Sequence, residues 1–165
     1  MVAAEPDPAP DPDGILAELG AELAVGVAAA VPAWVMRCVD GFVSPDAPGR
    51  ERTMAQAEVA GRQAQKEVAA RLAALLSGDV DQQRSTPLAV VRAAVSYPTE
   101  VLRDARVPPV ARDRFVSERF PDDPYGLTPA TLQALDPGLG DLALAWGAAK
   151  AMAHRRRHGD AEEFT

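Results

Sequence analysis

The densest charge cluster in the chain lies at residues 154–158, which read HRRRH. On a helix, His154 and His158 would share one face, which is the spacing of a two-histidine metal site. Three arginines stand between them: Arg155, Arg156 and Arg157. Because cations repel a divalent metal ion, we predict no metal here. We favour a basic last helical turn that complements the helix dipole, and contact with an anion, RNA or an acidic partner stays open.

A second cluster combines acids, prolines and an aromatic residue in PDDPYGLTP, residues 121–129. Asp122, Asp123 and Tyr125 on such a short connection could form a rigid recognition surface. Two adjacent carboxylates are too few for a calcium loop, which needs several more oxygen ligands at defined positions. We therefore predict a tight turn between two helices, with a partner contact as the alternative.

Arginines are also frequent between residues 84 and 119, on short segments interrupted by prolines. The seven are Arg84, Arg92, Arg103, Arg106, Arg112, Arg114 and Arg119. Guanidinium groups and helix N-termini bind anions, so a phosphate or carboxylate site that uses this arginine-rich block, Arg103 included, together with Tyr97 is one interpretation. The preferred one is solvated helix faces on which these arginines pair with neighbouring acids.

Sequence signatures of catalysis are missing. The chain contains no GxSxG, phosphate-binding glycine loop, HExxH, CxxC or GxGxxG pattern. Neither histidine has a Ser or Cys beside it in sequence that it could activate. We therefore expect no cofactor and no bound metal, and the interpretation leans towards a protein that is not an enzyme.

Composition narrows the class of protein. A chain of 165 residues suits one domain that needs no disulfide or metal for stability. The single cysteine, Cys38, lies in an apolar stretch, which predicts a reducing, cytoplasmic setting. A net charge of -7 argues against a general nucleic-acid or anionic-membrane binder. The 33 alanines and 15 arginines, with two lysines and no asparagine, fit GC-rich coding, so the arginine clusters can reflect codon supply.

The element that must organise the fold is the stretch from Leu23 to Val39, which is apolar or small at almost every position. Such a helix is buried on most sides. Its uncharged core, Leu23 to Met36, has 14 residues, against the ~20 needed to cross a bilayer. We predict a helix that begins near residue 13, kinks near Pro32 and stops at Gly41. Residues 50–76 predict a second helix, ended by Gly78, and the short turn between the two predicts an antiparallel hairpin.

Shorter helices are predicted after residue 85, at 88–96, 99–106, 110–120 and 131–135, followed by a final helix at 138–157. Trp34 and Trp146 are expected in the core, and the small residues after Trp146 are expected to pack tightly on a neighbouring helix. The predicted fold class is all-α, a long kinked N-terminal hairpin with four or five shorter helices packed on it. Residues 1–12 and 159–165 are expected to be disordered acidic tails around one helical domain, 13–158.

These observations favour a cytoplasmic, non-enzymatic protein–protein interaction or self-associating module, such as a dimer through the Ala-rich long helices. The expected partner is another protein or a second copy, with no membrane. One alternative is nucleic-acid association through the basic end of the final helix. Another is an enzyme or small-anion binder that uses residues 84–119. The candidate contact residues are Tyr97, Arg103, Asp122, Asp123, Tyr125, Arg155, Arg156 and Arg157.

Overall fold

The computed structural model describes residues 3–4, 11–77 and 86–162, with the helical backbone but not the side chains of 77 and 160–162. This part of the chain is helical and contains no strand, which confirms the all-α prediction. A short 3-10 helix, Leu132–Ala134, precedes the last α-helix. The α-helices are α1 (Pro12–Asp40), α2 (Arg50–Ser77), α3 (Pro87–Ala93), α4 (Ser96–Asp104), α5 (Arg114–Arg119) and α6 (Gly138–Glu162).

Helix α1 begins at Pro12, one residue before the predicted start. The Asp11 carboxylate accepts a hydrogen bond of 3.2 Å from the Asp13 amide, and Pro12 occupies the first helical position, where its missing N–H costs nothing. The helix continues without interruption through Pro32 to Asp40. Pro32 has no N–H for the carbonyl four residues earlier. The kink expected there stays a prediction.

Helix α1 lies at the centre of the fold, with α2 and α6 packed along it. Gly61 of α2 approaches Pro32 so closely that an added Cβ would lie 3.1 Å from the Pro32 Cα. Gly20 of α1 lies beside Leu76 of α2, so the two helices run antiparallel. The residues of α1 and α2 with no exposed surface are Leu23, Val27, Val31, Val35, Val39, Ala57, Ala64 and Leu72.

Helix α6 also runs antiparallel to α1. A Cβ on Gly26 would lie 2.9 Å from the Leu139 Cδ2, and one on Gly20 would lie 3.6 Å from the Trp146 Nε1. With 25 residues, α6 is nearly as long as α1 and α2, which have 29 and 28. The described residues therefore form three long helices, whereas the prediction had two.

The predicted tails agree only in part with the helix bounds. Residues 159–162 belong to α6, and Pro12 belongs to α1, although the sequence assigns all of them to tails. Residues 1–2, 5–10 and 163–165 lie outside the described residues, as does the predicted loop that contains Gly78 and Arg84.

The short helices differ in how closely they pack on the long helices. Helices α3 and α4 contact α2, and α4 also contacts α1. The helix predicted at 110–120 is present only over Arg114–Arg119, and the apolar face expected to be buried is not, since α5 buries none of its six residues. The Val110 amide donates to the Pro124 carbonyl at 3.1 Å, so this backbone is committed to the following loop rather than to a helix. The predicted helix at 131–135 is the 3-10 helix.

By length and composition alone, α1 could cross a membrane, since an 18-residue window has a mean hydropathy of 1.7. The prediction from sequence counted only the uncharged residues from Leu23 to Met36 and did not include the apolar residues on either side of them. Core helices of soluble proteins pass the same test, but here 33% of the window is buried. The expectation of no membrane therefore stays a prediction.

Candidate functional site

The acidic loop, residues 121–128, is stabilised by one of its own carboxylates. Asp123 is buried, with 4% of its surface exposed. Its carboxylate accepts hydrogen bonds from the Leu127 amide at 2.8 Å, the Thr128 amide at 2.8 Å and the Thr128 hydroxyl at 2.7 Å. These bonds satisfy donors that would otherwise be buried without partners. The Asp123 carboxylate thus holds the loop closed and is almost wholly buried, at the edge of the cleft described below.

Tyr125 fastens the same loop to the helical framework. Its side chain is 3% exposed, and its hydroxyl donates to the Val107 carbonyl at 2.7 Å. Its ring meets Phe42 edge to face, with centroids 5.5 Å apart, a favourable aromatic geometry. The predicted turn is present, and two of its three candidate contact residues point into the protein.

The third residue of that set, Asp122, lines an open cleft of about 560 Å³ together with Arg103. Neither side chain forms a hydrogen bond or ion pair within the described part of the chain. Arg92, on another wall, donates to the carbonyls of Pro129 and Ala130 at 3.2 and 3.4 Å. Arg119 and Glu100 also line the cleft, so its walls carry charges of both signs, which suits a small charged ligand.

The cleft offers little for catalysis. No histidine, cysteine or lysine occurs among its described lining residues. Ser96 also lines it, but the Ser96 hydroxyl donates to the Ala93 carbonyl at 3.4 Å and to no side chain among the described residues. The arrangement can hold charges in place, but it supplies no activated nucleophile.

Tyr97 does not share this cleft, because it lines a separate groove between α2 and α4. Its hydroxyl donates to a Glu67 carboxylate oxygen. That hydrogen bond, followed by burial, raises the pKa of Tyr97 above its usual value. The structure thus separates Tyr97 from Arg103, which the sequence analysis placed in one site.

The thiol of Cys38 is half-buried. Burial raises its pKa from 9.0 to about 11, with the negative charge of Asp123 adding to the effect and Arg37 opposing it. Because the thiolate is the nucleophilic form, this side chain is a poor nucleophile at neutral pH.

The basic cluster at 154–158 pairs with acidic residues at the start of α1. Arg156 lies 3.6 Å from the Asp11 carboxylate and Arg157 lies 3.1 Å from that of Asp13. The interpretation as a last turn beside the helix dipole is wrong, because α6 continues to Glu162. The rings of His154 and His158 lie 4.3 Å apart, and the described residues contain no group of three or more potential metal ligands.

Helix α6 exposes an unbroken apolar surface, here called the outer face. Its residues are Leu144, Ala145, Gly147, Ala148, Ala151 and Met152, and all of them are exposed. Leu144 and Met152 keep 74% and 55% of their surface accessible. Lys150 does not interrupt this surface, because its ammonium lies 5.1 Å from the centre of the Trp146 ring. A charged residue stands at each end, Asp141 and Arg155.

Sequence reasoning recognised the small residues of α6 but missed the outer face. The predicted tight packing applies to Trp146, Ala149 and Ala153, which are buried. The other small residues face solvent. The signal that could have revealed them is a spacing of three and four residues, typical of a helix-pairing seam. It runs through Asp141, Leu144, Ala148, Ala151 and Arg155.

No family model, curated protein sequence or solved structure matches this chain.

Proposed function

We propose that this chain is a non-enzymatic protein–protein interaction module and that the outer face of α6 is its contact surface. The observation that carries the proposal is the continuous run of exposed apolar and small side chains from Leu144 to Met152. A helix on the surface of a folded domain normally presents polar residues to water, and a contiguous exposed apolar patch marks an interaction surface.

The chemistry of the outer face suits contact with another helix. Gly147, Ala148 and Ala151 have so little side chain that a partner backbone can approach closely. Leu144 and Met152 supply most of the apolar area that such a contact would remove from water. Asp141 and Arg155 at its two ends favour partner orientations that place an opposite charge against each of them.

The cleft and the Cys38 thiol are the two places where catalytic groups would be expected, and both support the non-enzymatic part of the proposal. The described lining of the cleft contains no histidine, cysteine or lysine, and its serine hydroxyl, that of Ser96, donates to a backbone carbonyl. The Cys38 thiol has a pKa of about 11, so it is almost wholly protonated at neutral pH. Because this lone thiol needs no disulfide partner, we also propose a reducing, cytoplasmic setting.

The test compares contacts made by the purified full chain, in solution and in lysate, with those of a Leu144→Glu/Met152→Glu variant. Ala73→Glu, which adds a charge on an exposed position of α2, is the matched control. Chemical cross-linking read by mass spectrometry should place intermolecular contacts of the wild-type chain on α6. These contacts should disappear in the double variant and persist in the control. Contacts that survive in the double variant, or no contacts at any concentration, would refute the proposal.

A second function, binding of a small charged ligand in the cleft, is favoured by one observation. Arg103 lines the cleft and has no bonded partner among the described residues. A phosphate or carboxylate that binds there should raise the melting temperature. Arg103→Ala should remove that rise, and Arg114→Ala, outside the cleft lining, should retain it. A flat response of the wild-type chain to both ligands would eliminate this function.

Nucleic-acid association has less support. Two of the three clustered arginines, Arg156 and Arg157, already face the carboxylates of Asp11 and Asp13. A phosphate backbone would have to displace those carboxylates. Retention of nucleic acid at low salt, with affinity that falls steeply as salt rises, would restore this alternative.

A further inference from the structure

We infer that the occupant of the outer face is a second copy of this chain, packed antiparallel about a two-fold axis that passes beside Ala148. This inference rests on the proposed function and adds the identity and geometry of the partner. In the dimer, α6 of one copy lies against α6 of the other, and each copy contributes the same surface.

The sequence of the outer face is symmetric about Ala148. Leu144 and Met152 stand the same distance before and after it, as do Ala145 and Ala151. In an antiparallel pair centred on Ala148, Leu144 of one copy therefore meets Met152 of the other, twice by symmetry. The small residues fall at the centre, where the helices come closest, and the larger apolar ones fall on either side.

Charge complementarity selects this orientation. Asp141 and Arg155 stand at equal distances on the two sides of Ala148, and both are exposed. Antiparallel pairing places Asp141 of each copy opposite Arg155 of the other and forms two ion pairs at the ends of the seam. Parallel pairing would instead place like charges together, which disfavours it.

The size of the contact sets its strength. From Asp141 to Arg155 the helix extends about 21 Å at ~1.5 Å per residue. A single pair of helices of this length buries much less than the ~800 Å² per partner of a standard stable interface. The dimer should therefore dissociate on dilution, with a dissociation constant in the micromolar range or weaker.

Sedimentation velocity of the full chain over a concentration series tests the dimer directly. The wild-type chain should pass from monomer to dimer as its concentration rises. Leu144→Glu should weaken the association at least about tenfold, because two carboxylates would have to be desolvated in each dimer. Ala73→Glu should leave it unchanged. Leu144 is 74% exposed in the monomer, so its substitution does not threaten the fold.

The orientation is tested by charge reversal. Asp141→Arg and Arg155→Asp should each weaken self-association, because each variant alone would place like charges at both ends of the seam. An equimolar mixture of the two variants should recover dimers, since every end pair is then complementary. Glu58→Arg on α2, which reverses an exposed charge outside α6, is the matched control and should not weaken association.

The results separate this inference from the proposed function. A wild-type chain that stays monomeric at millimolar concentration, or a mixture that fails to recover dimers, overturns the antiparallel pair. If α6-dependent contacts with another protein are nevertheless found, the proposed function stands with a different occupant. If the chain stays monomeric and instead binds lipid vesicles through Leu144 and Met152, both proposals fail.

Discussion

Replacing Asp123 by alanine tests the claim that one buried carboxylate determines the shape of the acidic loop. The substitution removes the acceptor of three hydrogen bonds and leaves the amides of Leu127 and Thr128 without a partner. It also removes the Thr128 hydroxyl bond. Asp123 is only 4% exposed, and Leu127 and Thr128 are half-buried, so water replaces these bonds fully only when the loop opens.

The expected loss of stability follows from these contacts. A hydrogen bond to a charged group contributes about 1.5–3 kcal/mol, and the three share one side chain, so their contributions are not additive. Opening of the loop recovers part of the loss through water. We expect Asp123→Ala to lower the free energy of unfolding by about 3 kcal/mol. For a chain of this size that corresponds to a melting temperature lower by about 6–12 °C.

Thermal unfolding followed by circular dichroism, supported by urea titration, measures this loss. The adjacent Asp122→Ala is the matched control, since its side chain is exposed and makes no hydrogen bond or ion pair within the described residues. It should change stability by no more than about 0.5 kcal/mol. Asp123→Asn should fall between the two, because it keeps one acceptor and turns a second donor towards Thr128. Equal effects of Asp122→Ala and Asp123→Ala would refute the reasoning.

Three further predictions concern other positions. Cys38 has a folded pKa of about 11 against an ordinary 9.0, so above pH ~9 the unfolded chain binds fewer protons than the folded one. Stability should therefore fall between pH ~9 and ~11 by up to about 1.4 kcal/mol per pH unit, and urea titration of Cys38→Ala should show a smaller fall. Arg106 has φ 59°, the left-handed region, so Arg106→Gly should raise the free energy of unfolding by about 0.5–1 kcal/mol in the same assay. Gly61→Ala should lower it by about 1–2 kcal/mol, because the new Cβ would lie 3.1 Å from the Pro32 Cα and force the two helices apart.

Each of these has a result that would contradict it. The Cys38 argument fails if the wild-type chain and Cys38→Ala lose stability in parallel between pH 9 and 11. Destabilisation by Arg106→Gly would show that the arginine side chain contributes more than its backbone strain costs. An unchanged melting temperature for Gly61→Ala would mean that α1 and α2 can separate slightly at little cost.

The long helices could be predicted from sequence because their signals are local. Asp11 and Pro12 begin α1 through contacts within one helical turn, and the end near Gly41 follows the loss of the apolar pattern. The segment at 110–120 has an equally regular pattern but forms only a short helix. The Val110 amide at its start donates to the Pro124 carbonyl, and no periodicity within the segment reveals this contact with a later loop.

The candidate site residues show the same limit. Asp123 and Tyr125 look like exposed loop residues in sequence, yet both are buried because the loop folds back on them. Arg157 finds its partner Asp13 across nearly the whole length of the chain, a separation that spacing rules cannot detect. The outer face of α6 shows a three- and four-residue spacing in the sequence. The sequence does not reveal, however, which side of α6 packs on α1 and which side faces solvent.

The antiparallel register of α6 on α1 has a consequence for biosynthesis. Helix α1 emerges from the ribosome first and can pair with α2 soon afterwards, whereas the surface around Gly20 and Gly26 waits for α6. During that interval a growing chain exposes part of its most apolar helix, a state prone to aggregation. A truncated chain that ends before Leu139 would stay in that state permanently. We expect such a truncation to require chaperones, or to precipitate, even though its first two helices can still form.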